Sequence, residues 1–302
     1  MLLRLAAVLL ALSCWCCHAA PVSQPRQLLL IKTHNPTPAM LERWCTHFAN
    51  PGPAANHGFE VAIMFYSSSG ERGLGDDVVT IPSPWCMPFL VVRKRNLTAL
   101  WGEAQAEALT SQPWVWCSAP DLAYFALRQD SFPYEHMWVF DQDVAWTGSV
   151  FSLLGSLARG RDGSNLLCFD VSWGRVGKKH WWQLHNDNWM WWKTHSDWAG
   201  WDDSPGAPRV RCQIMVVRYS TPLLRHLTGE YLAKGRYAHG EWFAASVCGL
   251  SMPGCRVSNF ADDTTAIGDP FNCCAKPVTT ALEWMATRAR FRGGAFIHPV
   301  KI

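Results

Sequence analysis

Short apolar runs alternate along the chain with stretches whose apolar positions recur every three or four residues. Runs bounded by turn residues read as buried strands, and the three-to-four spacing reads as helix. On that basis strands are expected over residues 27–32 (QLLLIK), 59–66 (FEVAIMFY), 137–140, 165–169 and 210–217, with short ones at 78–81 and 256–257. Helices are expected over 39–48, 97–109, 119–128, 149–157, 222–233, 241–247 and 282–290, and Pro120 suits a first helical turn. Residues 51–58 (PGPAANHG) read as a loop by composition. Strand–helix alternation of this kind predicts an α/β fold with a mostly parallel central sheet flanked by helices. The N-terminal half is expected to be Rossmann-like, and the C-terminal half irregular and pinned by disulfides.

One run ends differently from the others. In HMWVFDQDVAW the apolar residues Met137 to Phe140 stop at two carboxylates, Asp141 and Asp143, with Gln142 between them. Alternate side chains of an extended segment point to the same side. A buried strand ending here therefore pushes both acids into the crevice beyond its carboxyl end, where open α/β sheets bind ligands. Two converging carboxylates repel unless a proton or cation sits between them, and hard oxygen ligands suit Mg²⁺ or Mn²⁺. The pattern points to a metal–diphosphate site.

Composition narrows the setting. With 49% hydrophobic and 17% charged residues the 302-residue chain is globular and long enough for a large core. A net charge of +3 gives no reason to expect a nucleic-acid partner. Residues 1–20 read as a secretory signal, with Arg4 before an apolar stretch and small residues at Ala19 and Ala20. The apolar stretch is shorter than a membrane span needs, so the expectation is at most an N-terminal membrane anchor. Residues 21–302 are then one domain, 21–148 forming a nucleotide-binding half and 149–302 an acceptor-binding half.

Nine cysteines follow the leader, an odd number with no CxxC pair, so disulfides are expected rather than zinc, with at least one thiol left over or paired between chains. Cys248 and Cys255 are spaced to close a short loop. Asn96-Leu-Thr98 is an N-glycosylation acceptor where the leader is a signal.

The helix at 119–128 followed by FPYEHMWVFDQDVAW resembles the approach of nucleotide-sugar glycosyltransferases of the GT-A fold to their acid-x-acid motif. That resemblance implies a GT-A-like domain in which Asp141 and Asp143 hold Mn²⁺ or Mg²⁺ against a nucleoside-diphosphate sugar donor. It implies further that His298 is a metal ligand and that Lys301 lies on the diphosphate, since some GT-A families use a C-terminal histidine and a nearby lysine in those roles. In this chain FIHPVK sets the two three apart, without the longer glycine-containing spacing of some of those families. Glu241, in AHGEW at the opening of a late helix, matches the place of an acceptor-side acid, and Asp202 and Asp203 compete with it for the role. His34 and Asn35, at the end of the first strand, fall on the same crevice edge as nucleotide contacts.

Seven of the 18 tryptophans crowd into residues 180–203, where Trp181, Trp182, Trp189, Trp191 and Trp192 alternate with His185, Asn186, Asp187 and Asn188. Indole faces stack on sugar rings, and amides and carboxylates bind sugar hydroxyls. The segment, above all Trp181, Trp182, Asp187, Trp189 and Trp192, is the candidate binder of a glycan or glycoprotein acceptor, with membrane-interface docking as the rival use. The leader and the cysteines lead to the expectation of transfer in the secretory pathway, in the Golgi or ER lumen, or after secretion.

Two other classes fit parts of the pattern. A haloacid-dehalogenase-type phosphatase also ends a strand in DxD, but there a Thr or Val follows two residues on, where this chain has Ala145. A non-catalytic carbohydrate-binding protein that keeps the fold would use the tryptophans without turnover.

Overall fold

The computed structural model describes residues 27–34, 36–66, 86–111, 119–175, 208–237, 240–260, 277–292 and 294–301. The leader, the strand expected at 78–81 and the tryptophan-rich segment lie outside them.

The chain opens with β1 (Gln27–Thr33), α1 (Pro38–Phe48) and α2 (Pro51–Asn56). The last corrects the loop expected at 51–58. Asn50 caps the helix, its Oδ1 accepting from the Gly52 N–H at 3.0 Å. Pro51 stands at the first helical position, where its missing N–H costs nothing. Then come β2 (Phe59–Tyr66) and β3 (Phe89–Val92), a strand that the sequence reading did not find. The single helix expected over 97–109 is two, α3 (Lys94–Trp101) and α4 (Glu103–Ser111), broken at Gly102, whose φ of +85° is open to glycine at no steric cost. Next are α5 (Ala119–Arg128), β4 (His136–Asp141), the short β5 (Ala145–Thr147), α6 (Val150–Ala158) and β6 (Leu166–Arg175). The remainder comprises β7 (Pro208–Ser220), α7 (Thr221–His226), α8 (Gly240–Ser246), β8 (Val257–Asn259), α9 (Ala281–Arg290) and β9 (Ala295–Ile297). Among these, no helix is long and apolar enough to cross a membrane.

The fold is α/β, with a mostly parallel sheet of seven strands in the order β3-β2-β1-β4-β7-β6-β8. Only β7 runs against its neighbours. Alternation along β1 divides the core. Leu28 and Leu30 pack with α5, α7 and α8 on one face, while Leu29 and Ile31 pack with α1 and α6 on the other. Burial on both faces is why β1 and β4 read as unbroken apolar runs.

Two disulfides are formed among the described cysteines, Cys45–Cys86 in the N-terminal half and the expected Cys248–Cys255 in the other. Cys168 and Cys212 are buried thiols, not bridged.

Candidate active site

From β1 the sheet grows outward through β2 and β3; the chain then crosses back to lay β4 on the other side of β1. The strand order therefore reverses between β1 and β4, and a crevice opens at such a switch point beyond the carboxyl ends of the strands. Lys32 pairs in register with Asp141 there. The end of β1 also fixes the loop after β4. The Oε1 of Gln142 accepts from the Thr33 hydroxyl at 2.9 Å and from the His34 N–H at 3.2 Å. His34 is turned to β2, its Nδ1 at 3.0 Å from the Tyr66 hydroxyl.

The chain terminus returns to this loop through a small antiparallel pair. β9 lies on β5 with Ala145 opposite Ile297, and the Val300 N–H donates to the Asp143 carbonyl at 2.8 Å. Trp284 of α9 packs against Ala145, Ile297 and Val300 behind the pair. The consequence is that His298 Nε2 lies 3.2 Å from Asp143 Oδ1. Burial opposes ionisation of Asp143, but the hydrogen bond and charge of His298, with Lys301 adding, hold its carboxyl below the ordinary range.

Bonds of about 2.1 Å at right angles set two ligand atoms roughly 3.0 Å apart. The carboxylate–imidazole pair thus has the spacing to share one divalent cation. Asp141 is placed differently. Its Oδ1 is 2.9 Å from the ammonium of Lys32, a side chain only 4% exposed. Among the described residues no three His, Cys, Asp or Glu side chains converge with metal-holding geometry. Asp143 and His298 fit a cation as they stand, whereas Asp141 has one oxygen committed to a lysine.

Behind Lys32 the crevice wall is charged and enclosed. Asp121 of α5 is fully buried, and desolvation pushes its carboxyl to about 6 against the pull of Lys32. Burial likewise raises the Asp141 carboxyl, Lys32 opposing and Asp143 adding to it. Glu241, in the first turn of α8, has its Oε2 enclosed. Burial raises it to about 8, with the Arg211 guanidinium opposing and the charges of Asp141 and Asp170 raising it further. Arg211 is itself tied to Asp170 at 3.2 Å. Asp170 sits at a register break in β6 with a φ of +53°, a backbone state that non-glycine residues seldom hold.

The structure therefore gathers Asp141, Asp143, His298, Lys301 and Glu241 along one edge, with His34 beside them. Trp181, Trp182, Asp187, Trp189 and Trp192, as well as Asn35, Asp202 and Asp203, lie outside the described residues. Lys32, Asp121, Gln142, Arg211 and Asp170 were not found from the sequence. A lysine directly closing an apolar run was the one available signal for Lys32.

No protein-family model matches the sequence, and no curated protein matches it. In fold the chain is similar to the galactosyltransferase LgtC, solved with donor and acceptor sugar analogues, at 10% identity over 77% of this chain and 73% of that one, with a TM-score of 0.38. It is also similar to mouse xyloside xylosyltransferase 1, at 12% identity over 89% and 91% of the two chains and a TM-score of 0.36. A third likeness is to the S. cerevisiae mannosyltransferase Ktr4p in complex with GDP, at 13% identity over 76% and 66%, TM-score 0.32. Each likeness is one of fold.

Proposed function

We propose that the chain is a divalent-metal-dependent glycosyltransferase that moves a sugar from a nucleoside-diphosphate donor to a hydroxyl of a glycan or glycoprotein. The observation that supports this most directly is the 3.2 Å approach of His298 to Asp143 at the switch point of the sheet. Asp143 and His298 hold Mn²⁺ or Mg²⁺, with Asp141 alongside. What a bound cation supplies there is neutralisation of the charge that builds on the leaving diphosphate. Lys301, exposed beside Asp143, adds a point charge to the same group. His34, next to Tyr66 at the end of β1, lies where the nucleotide enters.

Glu241 takes the proton of the acceptor hydroxyl. With its carboxyl raised to about 8, the ionised form is a minority at neutral pH but a stronger base than an ordinary glutamate. Acceptor binding is assigned to the tryptophan-rich segment, and the leader is taken to route the protein to the secretory pathway.

The test is thermal denaturation with a panel of nucleoside diphosphates and Mn²⁺, followed by nucleotide-sugar cleavage. One of the diphosphates should raise the midpoint, since at about 100-fold over Kd a ligand adds roughly 2.7 kcal/mol. Asp143→Ala should lose both the shift and the cleavage while remaining folded. Unchanged turnover in that variant would sink the assignment.

Lys32 favours a second reading. An ammonium that already neutralises Asp141 is what a carbohydrate-binding protein with a disused metal site would keep. Glycan binding that persists in chelator, with no nucleoside diphosphate released from any donor, decides for it.

A further inference from the structure

Arg43 is a half-buried cation that the reaction described above does not use. It lies on α1, a helix started by Thr37, whose Oγ1 accepts from the Met40 N–H at 3.2 Å. Met40, Trp44 and Phe48 anchor the helix in the core. Arg43 and His47 are four residues apart and so share one stripe of the helix. The His47 ring meets Trp146 edge-on, centroids 5.2 Å apart, and Trp146 is in β5, three residues beyond Asp143. The stripe therefore runs along the loop that carries the acidic pair. The charge of Asp143 is felt at Arg43, and that of Arg43 at His47.

Nε and Nη2 of Arg43 are enclosed with no hydrogen-bond partner among the described residues. Asp143, the acid acting on it, is already met by His298. Burial lowers the guanidinium to about 10, so it remains charged at physiological pH. Enclosed guanidinium nitrogens with unmade bonds destabilise a fold. The guanidinium's fork of donors matches the oxygens of a phosphate.

We propose that Arg43 is an anion-binding residue of the crevice, and that it takes phosphate oxygens of the nucleoside diphosphate alongside Lys301. The diphosphate as ligand rests on the donor reading of the site; the anion site itself does not. Removing Arg43 then has two opposite effects. The ligand-free protein loses two enclosed nitrogens with unmade bonds, and the complex loses charge-assisted bonds.

The experiment is calorimetric titration of the full chain with UDP, GDP and inorganic pyrophosphate, each with Mg²⁺, for wild type, Arg43→Met and Arg43→Lys. Thermal midpoints are measured without ligand. For every ligand that the wild type binds, Arg43→Met should bind roughly 10- to 100-fold more weakly. Arg43→Lys should fall between the two, since an ammonium keeps the charge without the fork. The ligand-free midpoint of Arg43→Met should lie at or above that of wild type. Wild-type affinity in Arg43→Met overturns the proposal. So does a clear fall in its ligand-free midpoint, which would mean a structural partner. Arg43-dependent binding of pyrophosphate but of neither nucleotide keeps the anion site and removes the donor reading. No binding of any of the three by wild type removes both.

Discussion

Replacing Glu241 by Gln should make the protein more stable and less active at once. Glutamine reproduces the shape of the protonated carboxyl and cannot ionise. In the folded chain that carboxyl titrates near 8, against an ordinary value of 4.5. Between those two values the unfolded chain has released a proton that the folded chain still holds. Each unit of rising pH across the window therefore costs the wild type about 1.4 kcal/mol, and the variant nothing. At pH 4 the two proteins should be equally stable. By pH 7 the difference should reach about 3 kcal/mol in favour of Glu241→Gln, and it should level off above pH 8. For a chain of this size that is roughly 6 °C or more in the thermal midpoint at pH 7. The assay is calorimetric unfolding from pH 4 to 9 in chelator. Nucleotide-sugar turnover is followed over the same range. In wild type, turnover should rise toward pH 8 as the base ionises; in the variant it should be low and flat. A pH-independent difference in midpoint, or a variant less stable than wild type at pH 7, would refute the enclosed, proton-holding carboxyl and with it the case for Glu241 as base.

Lys32→Met breaks a nearly enclosed ion pair from one side and should destabilise the protein by about 3 kcal/mol, read as a lower midpoint in urea. Replacing it by Arg should recover part of the loss. The two disulfides close loops of different length, with sequence separations of 41 and 7. Removing Cys45–Cys86 should therefore cost about 4 kcal/mol and removing Cys248–Cys255 about 2, and equal losses would contradict the chain-entropy account.

Most of the sheet was legible because its strands obey a local rule. β1 and β4 are buried on both faces and carry unbroken apolar runs, Leu28–Ile31 and Met137–Phe140, and the run of β2 is interrupted only at Glu60. Where structure depended on a single backbone feature, composition misled. PGPAAN reads as a loop, yet Asn50 and Pro51 are a cap and a first-turn residue. The 97–109 pattern is helical on both sides of Gly102 and does not announce the break. β3 is too short and too exposed at Phe89, at 45%, to stand out from the prolines before it.

The site divides along the same line. Asp141 and Asp143 were visible because an apolar run has no local reason to end in two acids. His298 and Lys301 were found by resemblance; no pattern in the second half predicts that β9 returns to β5. Lys32 and Arg43 were hidden because each is ordinary in its own segment. A lysine closing a strand and an arginine next to a core tryptophan both read as solvent-facing. Their surroundings are made elsewhere in the chain, by Asp141 of β4 and Asp121 of α5 around Lys32 and by the charge of Asp143 on Arg43.

Burial also separates charges that serve the fold from charges that serve a ligand. Arg218 is more enclosed than the half-buried Arg43, and burial lowers both to about 10. Yet Arg218 donates to the carbonyls of Arg161 and Ser164 and stacks over Trp138, which accounts for it within the fold. Arg43 has no such account, and Glu241 holds a proton that an exposed glutamate would have released. Lys32 lies between these cases, paired with an acid that a cation would also use. Selection for stability alone would remove groups whose charge or proton is held at such a cost. Arg43, Glu241 and Lys32 each feel the charge of Asp141 or Asp143, at the strand end that carries both carboxylates, and that shared location is the physical reason to look for a charged substrate there.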